Sequence, residues 1–412
     1  MKFGIFFEVS VPRPHTPERE KQVFDNCLEQ VRVADELGFD HVWAVEHHFL
    51  EEYSHCSAPE IFLTACAMQT KRIRVGHGIV VCVPQFNHPV RAAERAAVLD
   101  IVSDGRLDFG TGRSATWTEL AGFEADPDET KKTWDEYVRV IPKMWTQERF
   151  GWQGRAFSMP ERAVLPKPMQ KPHPPMWVAV TSPGTEIDAG ERGLGALGLS
   201  FGGFAAQERS SAEYRKRIQS CDPVGEFVND QIHAVNFLYC HEDLSYGAQT
   251  GMRLAGTFGY LNAQLLPARE AYPTPSYPTL GITPTARRED AGPGDSSGIP
   301  EGLAIGDPDR LIEVVRRWES AGVDGLNFLL NMAETVPQDE VLASLRLFAK
   351  EVMPKFAGAA GGSGGAEASG GAGGSGDAEA SGGAGGSGGA AKRSAPDQLG
   401  ARGSAQVPVE TN

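Results

Sequence analysis

Hydrophobic and polar positions along this chain switch between two periods. Short β-branched or aromatic runs recur, and between most of them apolar residues fall at helical spacing. Lys2–Val9 reads as a first strand, and Pro12, Pro14 and Pro17 break the chain after it. From Glu18 the residues Val23, Phe24, Cys27, Leu28, Val31, Ala34 and Leu37 mark one helix face, which Gly38 closes. Asp40–Glu46 predicts strand two, Pro59–Thr70 a helix, and Ile73–Val83 a third strand interrupted by Gly76 and Gly78. Glycine inside a strand marks close approach of backbone to a ligand. Val90–Val102 predicts a helix, Arg106–Gly110 strand four, Thr130–Trp145 a helix, Phe150–Lys171 an inserted hairpin, and Met176–Thr181 strand five. Ala196–Phe201 is strand six, Ala206–Ser220 a helix and Ile232–Cys240 strand seven. Leu261–Gly306 is rich in Pro, Gly and Ser, lacks a period and reads as a lid or binding loop. A helix through Leu311, Ile312, Val315 and Trp318, strand eight over Val323–Leu330 and a last helix over Gln338–Val352 complete the pattern.

Eight strands with helices between them imply a parallel sheet with right-handed crossovers. The expected fold is α/β, a (β/α)8 TIM barrel with insertion loops. No G-x-G-x-x-G follows strand one, which weighs against a doubly wound dinucleotide-binding sheet. Composition alters this picture at one end. Residues 357–391 are almost wholly Gly, Ala and Ser, with no side chain large enough to offset its ordering entropy. The expected division is therefore a barrel domain over 1–356 and a disordered low-complexity tail over 357–412.

A net charge of −15 and the lack of a Lys/Arg block argue against nucleic acid as a partner. No apolar run approaches the roughly 20 residues that span a bilayer. Met1–Glu8 is charged too early for a signal peptide and reads as a strand. The six cysteines form no C-x-x-C pair, so reduced core thiols in a cytoplasmic protein are expected.

Function on a barrel collects at the C-terminal ends of its strands. Those ends carry Glu46 and His47, then Asn87 and His88, Arg113, Ser182 with Thr185, and Ser200 with Phe201. Arg113, Ser182 and Thr185 suit a phosphate, through a guanidinium fork and the N–H groups of a helix start. An arginine paired to a surface carboxylate and a serine N-cap would account for them equally. His47 reads as a general base, a metal ligand or a buried structural histidine. Adjacent strand residues point to opposite faces, so His47 and His48 should not share an ion, and no H-x-H or H-E-x-x-H occurs. By the same alternation Glu46 should face away from His47 and support it.

Met1-Lys2-Phe3-Gly4, Glu46-His47-His48-Phe49, His88-Pro89-Val90-Arg91, Gly105-Arg106 leading to Phe109-Gly110-Thr111-Gly112-Arg113, and Pro175 to Thr185 occur in one order. In this the chain resembles the bacterial luciferase-like flavin monooxygenases. The resemblance implies a TIM barrel using reduced FMN and O2, with a separate flavin reductase supplying the flavin and a homodimer as the assembly. It implies oxygenation of a small organic substrate, an aldehyde, a ketone or a related carbon centre, through a flavin C4a-hydroperoxide. By position it makes His47 the active-site histidine, supported by Glu46. It makes Arg113, Ser182 and Thr185 phosphate contacts, with Thr181 in place of a glutamate beside them. Gly78 and Ile79 match a pair joined by a non-prolyl cis peptide under the flavin ring, and Ser200 and Phe201 fall where the family lines that ring. Gly112 stands where luciferase has a reactive cysteine, which argues against light emission and a long-chain aldehyde. The competing readings are an F420-dependent hydride-transfer oxidoreductase on the same barrel, a non-catalytic flavin-binding subunit, and a metal-dependent hydrolase.

Overall fold

The computed structural model describes residues 1–114, 116–182, 184–200, 203–264 and 298–357. In chain order the strands are β1 (Lys2–Phe7), β2 (His41–Ala44), β3 (Arg74–His77), β4 (Val80–Val81), β5 (Leu107–Gly112), β6 (Phe150–Gln153), β7 (Ser158–Arg162), β8 (Met176–Val180), β9 (Gly195–Leu199), β10 (Ile232–Cys240), β11 (Ala304–Gly306) and β12 (Gly325–Leu329). Eight of them pair in parallel and close on themselves in the order β1-β2-β3-β5-β8-β9-β10-β12, with β12 returning to β1. This is the expected (β/α)8 barrel. Its strands read as continuous apolar runs because both faces are covered, the outer one by the helices. β11 pairs with β10 outside the ring, and β6–β7 is the predicted antiparallel hairpin.

The barrel interior fills by facing a large side chain with a glycine on the neighbouring strand. Register pairs Trp43 with Gly76, Trp177 with Gly195, His233 with Gly325, and Asn327 with Gly4. A Cβ on Gly4, Gly76, Gly195 or Gly325 would collide with the side chain it faces, so each glycine is a space requirement. The helices start and stop on local signals. Thr16 accepts from Arg19 N ahead of the helix Pro17–Leu37, and Gly38 ends it with φ 92°. Asp307 accepts from Arg310 N at 2.9 Å ahead of the helix Pro308–Ser320.

Three expectations change. Strand three breaks at Gly78–Ile79 into β3 and β4, and β4 bonds β5 above the barrel rim. Residues 244–264, to which the pattern of apolar positions assigns no element, form a 21-residue helix, Leu244–Gln264. The expected lid over 261–306 therefore starts inside a helix and ends in β11, while 265–297 lies outside the described residues, as does the expected tail beyond Ala357. No helix among the described residues is long and apolar enough to cross a membrane. All six cysteines are free, and five are buried.

Candidate active site

One cavity of about 300 Å³ opens at the C-terminal ends of the strands. Its acidic end is built around His47. β2 stops at Ala44, and the next residues leave the extended pattern, pinned by Val45 N to Phe7 O at 3.2 Å and His47 N to Cys56 O at 3.0 Å. Strand alternation therefore does not govern Glu46 and His47, and both line the cavity, contrary to the expected division. The Glu46 carboxylate accepts from Val81 N at 2.7 Å, from Asn87 Nδ2 at 2.8 and 3.1 Å, and from His48 Nε2 at 3.2 Å. Those bonds tie the β4 segment and the Asn87 loop to the residues around His47.

His47 Nδ1 lies 2.9 Å from Glu119 Oε1, and its Nε2 lies 3.7 Å from Glu8 Oε2. Glu119 comes from a short helix, Trp117–Gly122, which neither strand nor helix period had marked. Its carboxylate also accepts from His48 N at 3.1 Å, Ser114 Oγ at 3.1 Å and Thr116 Oγ1 at 2.7 Å. Burial pushes the His47 imidazole toward neutrality, but the charge and hydrogen bond of Glu119, with the charges of Glu8 and Glu46, push it up to about 9. Burial raises Glu119, yet the His47 charge and the hydrogen bonds from His47, Thr116 and His48 N hold it below the usual carboxylate range. Burial dominates at Glu8 and pushes it up to about 7, opposed by the His47 charge and by the Tyr53 hydroxyl at 3.2 Å. His47 is thus a cation at neutral pH. To act as a base from that form, His47 would first have to give up this proton.

A second group of lining residues is cationic. Arg113 follows β5 and donates from Nη1 to Thr130 Oγ1 at 3.3 Å. Lys131, one residue into the helix Thr130–Thr146, pairs with Asp188 at 2.8 Å. Asp188 belongs to the segment that carries Ser182 and Thr185, so these residues gather together on the cavity wall. The helix Thr185–Glu191 has seven residues, and the Gly184 N–H already donates to Glu186 Oε2 at 2.9 Å, so free N–H groups are fewer than expected. Phe6, Trp134, Val178, Leu197 and Leu199 give the same cavity apolar lining.

Of the residues expected in the site, Glu46, His47, Gly78, Ile79, Arg113, Thr181, Ser182 and Thr185 line this cavity. Ser200 does not. It lines a separate, smaller pocket, where its Oγ donates to Gln207 Oε1 at 2.9 Å, and Phe201 lies outside the described residues. The Gly78–Ile79 peptide is not cis, because the cis bonds among the described residues all precede proline. A non-prolyl peptide bond favours trans by several kcal/mol. Gly112 lies on the cavity wall, and a Cβ there would meet Ile79 at 2.6 Å, which excludes a cysteine in this arrangement. Glu8, Tyr53, Glu119 and Lys131 also line the cavity or its acidic end and were not predicted. For Glu119 a local signal existed: Thr116-Trp117-Thr118-Glu119 has the capping-box spacing of a helix start.

A parallel eight-stranded barrel with a cavity at its C-terminal face defines a TIM-barrel enzyme architecture. Residues 1–325 match the luciferase-like monooxygenase family, and the chain belongs to that family. It is 25% identical over 364 residues to the oxygenase component of the flavin-dependent trigonelline monooxygenase of Acinetobacter baylyi, covering 86% of this chain and 96% of the relative. It is 25% identical to limonene 1,2-monooxygenase of Rhodococcus erythropolis, over 80% of this chain and 81% of that protein. Among solved structures, monooxygenase RslO1 of Streptomyces bottropensis superposes with a TM-score of 0.72 at 26% identity, over 86% of this chain and 100% of that one.

Proposed function

We propose that this chain is the oxygenase component of a two-component monooxygenase. Reduced FMN, delivered by a separate flavin reductase, would occupy the cavity and act with O2 on a small organic substrate such as an aldehyde or ketone. The observation that carries this reading is the division of one cavity's lining among a cationic group, a buried acid–histidine group and apolar side chains. A flavin mononucleotide needs that division: an anionic phosphate, a flat ring system and a polar reacting edge. The A. baylyi relative, a flavin-dependent oxygenase component, supports the two-component arrangement.

When bound, reduced FMN supplies the O2 chemistry. The residues of this chain do the rest. Arg113 offers the phosphate two parallel charge-assisted hydrogen bonds, and Lys131 adds a second positive charge there. Ser182 and Thr185 donate from their hydroxyls. Phe6, Trp134 and Leu199 keep water from the apolar wall. His47 keeps its proton and presents Nε2–H as a fixed donor to negative charge that develops near it. Glu46 and Glu119 hold that ring in place from the protein side. The assembly we infer is a homodimer, with the exposed Ile61 and Met68 of the helix Pro59–Gln69 beside Val98 and Ile101 of the helix Pro89–Val102 as its apolar contact face.

Anaerobic titration with reduced FMN tests the reading. We expect saturable binding, and Arg113→Ala should weaken it roughly 10–100-fold, the effect of losing a charged hydrogen-bond pair. Tight binding of F420 with hydride exchange and no O2 uptake would instead make the chain a deazaflavin enzyme.

A further inference from the structure

Glu8 has no part in the reading above, yet it is the most unusual carboxyl in the cavity. It follows β1 and is 3% exposed. Oε1 accepts from Tyr53 OH at 3.2 Å, while Oε2 is buried and has no hydrogen-bond partner. Native proteins seldom leave a buried carboxylate oxygen unpaired. The backbone is built to aim it. Ser54 Oγ donates to Glu8 O at 2.6 Å and His55 N to Val9 O at 2.9 Å. Val9 itself sits at φ 52°, which a β-branched residue adopts only under constraint.

We propose that Glu8 is the residue that exchanges a proton with the molecule bound in this cavity. The proposal rests on the oxygenase reading for the identity of that molecule. In the transfer the O–H bond of the Glu8 carboxyl breaks and a new O–H or N–H bond forms on the bound molecule. The carboxylate left behind is stabilised by the His47 cation, 3.7 Å from Oε2, and by the Tyr53 hydroxyl on Oε1. The reverse transfer restores the acid. His47 is held mainly in its protonated form at neutral pH by Glu119, Glu8 and Glu46, so of the two it is Glu8 whose acid and base forms are both populated there. The titratable groups that face Glu8 are His47, Tyr53 and Cys56 from the segment after β2, and Glu119 from the helix Trp117–Gly122. Burial, opposed by the His47 charge and the Tyr53 hydrogen bond and reinforced by the Glu119 charge, leaves the carboxyl titrating at about 7, where both of its forms are populated in neutral solution.

Two measurements on wild type, Glu8→Gln and Tyr53→Phe decide the matter. Infrared difference spectra recorded on either side of pH 7 should show a protonated-carboxyl band in wild type that Glu8→Gln lacks. The rate at which O2 oxidises bound reduced FMN should show a matching inflection in wild type. Glu8→Gln should be slower by roughly 10²–10⁴-fold and flat with pH. Tyr53→Phe should move the inflection to higher pH, since the lost hydrogen bond favoured the carboxylate. A Glu8→Gln protein that binds reduced FMN and keeps the wild-type pH profile would overturn the proposal while leaving the oxygenase reading intact. Failure of the wild type to bind reduced FMN would remove the oxygenase reading itself. The infrared band would then still report, without any flavin, whether Glu8 titrates as required.

Discussion

Two buried histidine clusters sit in this barrel, and they are charged in opposite ways. At the upper rim His47 faces Glu119, Glu8 and Glu46 and is driven to hold its proton. In the barrel interior, toward the start of the strands, His41 and His233 pack edge to face with centroids 5.0 Å apart, against Trp43 and Trp177. Burial holds both well below the usual imidazole range, and the positive charge of Lys2 adds to it. A carboxylate is present there too: Asp108 Oδ2 is 3.7 Å from His41 Nε2. That carboxylate is already engaged by Arg74 Nε at 2.6 Å and Trp177 Nε1 at 2.9 Å. The lesson is that proximity to an acid does not charge a buried histidine. What matters is whether the acid's charge is left over for it.

The contrast can be broken from the upper side. Glu119→Ala should cost roughly 3–5 kcal/mol by leaving a buried imidazolium without its main partner. It should also bring the His47 transition down toward the ordinary 6.5, read by denaturant unfolding and histidine NMR.

The two clusters should also set opposite slopes in the stability–pH curve. The folded-state value of His47 lies above 6.5, so its contribution is complete below 6.5 and is lost as pH rises to about 9. Glu8, raised from 4.5 to about 7, loses its contribution over that rise. His41 and His233 are lowered below 6.5, so stability from them is present above 6.5 and falls as acid protonates them. Thermal melts across pH should therefore decline on both sides, and His47→Gln should change the alkaline side while leaving the acid-side loss from His41 and His233 in place.

His233→Leu probes the lower cluster. A neutral buried ring replaced by an apolar side chain of similar size should cost less than about 1.5 kcal/mol, with reduced-FMN binding unchanged. The smallest effect is expected from deleting residues 358–412, which should leave unfolding and flavin binding as they were. A Gly/Ala/Ser segment has little apolar surface to bury.

The fold was legible in the sequence wherever a strand had to be apolar on both faces. All eight barrel strands overlap runs such as Ile232–Cys240 or Val323–Leu330 that carry that requirement locally. The site was legible where chemistry falls directly after a strand, as with His47 and Arg113. It was illegible where the partner arrives through space. Glu119 meets His47 across 72 residues of chain, from a helix too short to print a period. Glu8 looked like strand core until the turn at Val9 redirected it. The break at Gly78–Ile79 was half visible. The glycines signalled a close approach, but only the packing of Gly78 against Phe6 and Trp43 shows what approaches.

The burial of the cysteines bears on how long such a protein lasts. Cys27, Cys56, Cys66, Cys82 and Cys240 are buried, and their surroundings push every one of these thiols up, away from the reactive thiolate. The half-exposed Cys221 is raised as well. Peroxide attacks thiolates, so oxidant escaping from the cavity would find little thiolate on these residues. Oxidative wear on this chain should accumulate first at the exposed thioether of Met169 rather than at the sulfurs packed in the core.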